Sequence, residues 1–73
     1  MSTKANPSRF DCYDKLPDNE PYFCLRASDS EAADLVELWA IRARANQVHV
    51  DKVREAFDLA EEMRRWPKRK VAD

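Results

Sequence analysis

Residues 29–66 read DSEAADLVELWAIRARANQVHVDKVREAFDLAEEMRRW, and this stretch decides the fold. Two helical periods run through it, separated by a short polar break. In the first, Ala32, Leu35, Val36, Trp39, Ala40 and Ala43 recur at helical spacing. Leu38 and Ile41 lie on a flanking face and widen the apolar surface beyond one stripe. A helix over 29–46 is expected. Ser28 and Glu31 stand at capping-box spacing, Asp29 is an equally good N-cap, and Asn46 can end the helix in the left-handed conformation. In the second period, Val53, Ala56, Phe57, Ala60 and Met63 or Arg64 repeat, with Leu59, Met63 and Trp66 on an adjacent face. A helix over 51–66 is expected, with Asp51 as N-cap, an i,i+4 pair from Glu61 to Arg65, and Pro67 as terminator. The break between them is short, so the two helices form an antiparallel hairpin. Faces this wide cannot cover each other. The expected fold is therefore mainly α: an antiparallel helical hairpin assembled as a homo-oligomer, a four-helix dimer or a larger ring.

Working outward, Tyr22 to Ala27 (YFCLRA) form a short apolar run that reads as a strand or as an extended segment. The fold then has at most one short strand, which needs a partner in another copy or in the N-terminal region. Residues 1–21 carry Pro7, Pro17 and Pro21 and read as an arm. Within it Phe10, Tyr13 and Leu16 are spaced for one helical turn, so part of the arm is expected to be ordered against the hairpin. Residues 67–73 form a basic tail, leaving 22–66 as the apolar segment plus hairpin.

Composition narrows the function. Glycine is absent from all 73 residues, which removes P-loops and dinucleotide fingerprints together. One histidine (His49) and two cysteines without C-x-x-C spacing leave no zinc set, and no cofactor is expected. The chain opens polar, from Met1 to Ser8, without a signal peptide, and no apolar stretch is long enough to span a membrane. A reduced, cytoplasmic setting without a structural disulfide follows. Five of the thirteen Lys and Arg residues fall in 64–70, leaving eight against thirteen acids before them. The body is acidic and the tail basic.

Few residues suggest chemistry. No nucleophile–base arrangement or carboxylate pair is evident, so no catalytic residue is assigned and the chain reads as a non-enzyme. Arg26, Ser28 and Asp29 flank a helix start, where a guanidinium and backbone N–H groups hold anions. They form the candidate ligand site, unless Asp29 merely caps the helix and Arg26 pairs with Glu31 or Asp29. Arg64, Arg65, Lys68, Arg69 and Lys70 form a basic patch around Trp66. This composition suits nucleic acid, but it also suits the negative end of a helix dipole, and the acidic body argues against nucleic acid. Leu38, Ile41, Trp66, Phe10 and Tyr13 are the candidate interface residues. Trp39 belongs to the core stripe, and Cys24 reads as a small buried hydrophobe. His49 falls in the break, either solvated or capping the second helix.

Asn6, Pro7, Phe10, Asp11, Cys12 and Tyr13, then Glu20, Pro21, Phe23, Leu25, Ala27 and Asp29, then Leu35, Val36, Trp39 and Ala40 follow the pattern N-P-x-x-F-D-C-Y, E-P-x-F-x-L-x-A-x-D, L-V-x-x-W-A. Over about residues 6–66 the chain resembles a group of small proteins encoded in phages and prophages. Ser30 stands where such relatives often carry proline. The resemblance implies the cytoplasm of a bacterial host and a counter-defence or host-takeover role, not a particular biochemistry. Two readings follow. In the first, which is the preferred one, a homo-oligomer sequesters a cyclic or linear nucleotide signal through Arg26 and Asp29. In the second, the chain occludes a host protein through its helix faces and Trp66. A small DNA-associated regulator is the third and weakest reading.

Overall fold

A computed structural model describes residues 3–71; the outermost residues of the expected arm and tail (Met1, Ser2, Ala72 and Asp73) lie outside that range. Two α-helices form the body, α1 from Ala32–Ala45 and α2 from Val50–Arg64. Arg64, at the end of α2, reaches Asp34, at the start of α1, with 2.9 Å between Nη2 and Oδ1. The helices are therefore antiparallel, and the hairpin is as the periodicities require. No strand occurs among the described residues; Tyr22 to Ala27 are irregular. Among the described residues, no helix is long and apolar enough to cross a membrane.

The start of α1 differs in detail from the expectation. Asp29 Oδ1 accepts the N–H of Glu31 at 2.8 Å, and the Asp29 carbonyl accepts the N–H of Ala32 at 3.2 Å. This tight first turn makes Asp29 the working cap. The Ser28–Glu31 capping box does not form: Glu31 stands at the formal N-cap with no side-chain capping bond.

The end of α1 is a Schellman turn. Gln47 N–H donates to the Arg44 carbonyl at 3.1 Å and Val48 N–H to the Ala43 carbonyl at 3.0 Å. The left-handed residue is Gln47 (φ 61°), not Asn46, which has φ −90°. Two N–H groups must reach back past the last turn, so the reversal falls one residue later than a simple asparagine cap would place it. Val48 then drops onto Ala40, Ala43 and Val53, which is the hydrophobic contact the motif requires.

Helix α2 starts on His49, whose Nδ1 accepts the N–H of Asp51 at 3.1 Å. Asp51 is thus inside the helix rather than its cap, and its carboxylate faces Arg9 at 3.2 Å. The helix ends at Arg64. Pro67 disfavours helical backbone at the residue before it, so Trp66 lies just past the helix.

The core is small and divided. Ala32, Ala33 and Met63 form one cluster, with Leu25, Ala27, Val36 and Leu59 against it. Ala40, Ala43 and Val53 form the other, with Val48, Ala56 and Phe57. Ala60 is also buried, and among the described residues no large side chain is fully enclosed. The face that α1 turns to α2 runs through Ala33, excludes Leu35 and leaves Trp39 at its edge, so the expected stripe is rotated. Trp39 is 44 % exposed, with Lys52 Nζ 5.8 Å from its ring centroid. Alanines allow the two helix backbones to approach closely, which favours the small sector over the bulky one.

The arm meets the hairpin at the start of α2. The Arg9 guanidinium lies 4.6 Å from the Phe10 ring centroid, and Phe10 packs on His49 at 6.3 Å. Phe10, expected at an interface between molecules, thus packs within its own chain. Asp11 Oδ1 accepts the N–H of Tyr13 at 3.0 Å and caps a single 3₁₀ turn over Tyr13–Lys15. That turn is the helical turn expected from Phe10, Tyr13 and Leu16, shortened by Pro17.

Candidate functional site

The antiparallel hairpin brings the end of α2 beside the start of α1, and the tail after Pro67 runs back along that start. Lys70 N–H donates to the Ser28 carbonyl and Ser30 N–H donates to the Lys70 carbonyl, both at 2.8 Å. These bonds form one parallel bridge between Asp29 and Lys70. Arg69 supports the return by donating to the Arg64 carbonyl at 3.0 Å and, more weakly, to the Ser30 carbonyl at 3.5 Å.

The result is a shallow depression of about 170 Å³ lined by Cys24, Arg26, Ser28, Asp29 and Lys70. The three residues expected to bind a ligand (Arg26, Ser28 and Asp29) do line one site. Arg26 is exposed and makes no ion pair with any described residue, so the expected alternative of a pair with Glu31 or Asp29 does not occur. Asp29 does take its capping role. The N–H groups of Ser30, Glu31 and Ala32 all have acceptors, so the first turn of α1 offers an anion less than the sequence suggested. The positive character of the site comes from side chains, Arg26 and Lys70, beside the Ser28 hydroxyl.

Lys70 was expected in the basic patch and is found here instead. No local signal marks this return, which rests on the backbone bonds that join Lys70 to Ser28 and Ser30. Cys24, expected to be buried, is exposed at the rim, and Cys12 is exposed in the arm; both are free thiols. Leu25 and Ala27 of the same run pack against Ala32, Ala33 and Met63, which leaves Cys24 and Arg26 between them exposed.

The basic patch is taken apart by the fold. Arg64 donates to Asp34, Glu37 and Glu61 at 2.9, 3.1 and 2.8 Å. Led by Asp34, these three carboxylates push its pKa above the usual arginine range. A raised pKa adds stability that is present at every pH below that range and is lost only as the pH rises through it. Arg64 therefore adds no pH dependence near neutrality. Glu61 pairs with Arg64 at i,i+3, not with Arg65 at i,i+4. With Arg64 locked between helices and Arg69 capping the end of α2, the five cations do not form one free cluster.

The remaining feature is aromatic. The rings of Tyr13 and Tyr22 meet edge-on with centroids 6.0 Å apart, and both are largely exposed. Phe23, beside Tyr22, is 83 % exposed. Trp66, just past the end of α2, is half exposed. From the sequence, Phe23 entered only through the resemblance pattern and was given no surface role. A second depression, between the arm and the hairpin, is lined by Phe10, Trp39, Lys52, Glu55 and Leu59 among others.

No protein-family model, curated protein or solved structure matches this chain.

Proposed function

We propose that this chain is a non-enzymatic, self-associating binding protein that acts by covering a surface of another protein. The single observation behind this reading is the exposed aromatic group of Tyr13, Tyr22 and Phe23. Tyrosine and phenylalanine are enriched at protein interfaces, where large rigid rings bury much area for little entropy. Leaving Phe23 in water is unfavourable by roughly 2 kcal/mol relative to covering it. The phage origin implied by the resemblance makes a host defence or regulatory protein the target, in the bacterial cytoplasm.

One observation favours a second reading. Arg26, without an ion-pair partner among the described residues, shares its depression with Ser28 and Lys70, which suits a phosphate group. The depression is smaller than the roughly 300 Å³ at which ligand pockets begin. It suits a phosphate better than a whole nucleotide, so sequestration would draw on a second copy to enclose the rest.

The test compares the immobilised full chain, as wild type, Tyr22→Ser/Phe23→Ser and Arg26→Ala, in retaining proteins from a bacterial lysate. One protein held by the wild type and by Arg26→Ala, but lost by the aromatic double variant, supports surface covering. Native mass spectra of purified wild type that carry nucleotide at fixed stoichiometry, with Arg26→Ala empty, would replace that reading with sequestration.

A further inference from the structure

Helix α1 turns its small residues inward and its large ones outward. Opposite its contact with α2 runs a stripe of Glu31, Asp34, Leu35, Leu38, Ile41, Arg42 and Ala45, every one exposed. Leu35, Leu38 and Ile41 are 48, 42 and 44 % exposed. The stripe follows the i, i+3, i+4, i+7 rule, so it is one continuous face. It also has an internal symmetry. Counted outward from Leu38, Leu35 answers Ile41, Asp34 answers Arg42, and Glu31 answers Ala45.

We propose that two copies of this chain pair through this face, α1 against α1, antiparallel, with the two-fold axis at Leu38. The proposal rests on the self-association advanced above and specifies its geometry. In this arrangement each Asp34 lies opposite the other copy's Arg42, each Leu35 opposite an Ile41, and Leu38 opposite itself. Apolar meets apolar, acid meets base, and no like charges face each other. Parallel pairing would set Asp34 against Asp34 and Arg42 against Arg42, so the charges select the antiparallel form. A two-fold contact of this kind needs a self-complementary patch, and the stripe has that property over about 12 Å of helix.

The side chains are free to serve. Arg42 forms no ion pair among the described residues, and Asp34, although it accepts Arg64 at 2.9 Å, keeps a side chain 72 % exposed.

Sedimentation equilibrium and native mass spectrometry on the full chain from about 1 to 200 μM test the pairing. The expected result is an even-numbered oligomer for the wild type. Leu38→Glu places two carboxylates at the axis and should weaken association roughly 100-fold with unchanged helical circular dichroism. Arg42→Asp should weaken it by a smaller factor. In a Cys12→Ser/Cys24→Ser background, Leu38→Cys should oxidise to a covalent dimer. Leu35→Cys should cross-link with Ile41→Cys on mixing, and not with itself. An oligomer indifferent to Leu38→Glu and Arg42→Asp would overturn this pairing while leaving self-association standing. A wild type that stays monomeric at 200 μM would overturn both.

Discussion

The two sides of α1 are built from different residues, and the assignment is the reverse of the usual one. The side against α2 is Ala32, Ala33, Ala40 and Ala43; the side facing solvent carries Leu35, Leu38 and Ile41. Buried alanine contributes little hydrophobic area, but it lets two helices approach closely and gain dispersion contacts. Outward leucine and isoleucine hold the larger hydrophobic gain in reserve until something covers them. The difference separates two tasks. The inner face chooses the partner helix within the chain, and the outer face, exposed here, is the one proposed above for pairing with a second copy.

The contrast can be broken first from inside. Met63 is the bulkiest member of the buried set and fills the space against Ala32 and Ala33. Met63→Ala should cost about 2–5 kcal/mol, read as the midpoint shift in urea unfolding at fixed protein concentration; a shift below 1 M-scale resolution would mean the hairpin does not depend on that cluster. Ala40→Leu makes the inner face resemble the outer one. It should cost about 1–3 kcal/mol by forcing the helices apart, and an unchanged melting temperature would refute close packing as the reason for the alanines.

The connection that sets the two inner faces against each other can be sharpened instead. Gln47 holds φ 61° without being glycine. Gln47→Gly removes the steric cost of that conformation and adds unfolded-chain entropy, for a net gain of about 0.5–1 kcal/mol in thermal melts. A loss of stability would show that the glutamine side chain matters more than the backbone angle. The smallest effect belongs to the outer face. Leu35→Ser and Ile41→Ser should change the stability of the dilute, dissociated chain by no more than about 0.5 kcal/mol. They should, however, abolish the dependence of the melting temperature on protein concentration. A large loss at high dilution would place these residues in the monomer's own core and dissolve the contrast between the faces.

Much of the fold was legible because its signals are local. The periods through Val53, Ala60 and Met63, the polar break at 46–49 and the capping capacity of Asp29 and His49 each depend on residues a few positions apart. The α2 stripe needed no correction for that reason: its opposite side, with Asp51, Arg54, Asp58 and Glu61, is plainly polar. The α1 stripe did need correction. With apolar residues on nearly every side, the sequence carries no signal that says which sector faces α2.

The candidate site was half legible. Arg26, Ser28 and Asp29 share one depression as expected, since they are neighbours in the chain. That Asp29 is spent on Glu31, that Lys70 completes the lining and that Arg64 is held by three carboxylates were not legible. Each depends on how a turn or a long-range contact closes. Cys24 was misjudged, because the run packs through its alternate residues Leu25 and Ala27 and leaves the thiol outside.

The sequence by itself determined that there are two helices, where the chain breaks between them, and that proline-rich and basic segments lie outside them. These are consequences of backbone propensity and side-chain period, which act over a turn or two. The tertiary structure alone decided which face of α1 turns inward, where the tail returns and which cations remain available. Those outcomes rest on contacts between residues some thirty or more positions apart, such as Arg64 with Asp34 and Lys70 with Ser28, and only close packing and charge pairing in three dimensions select them.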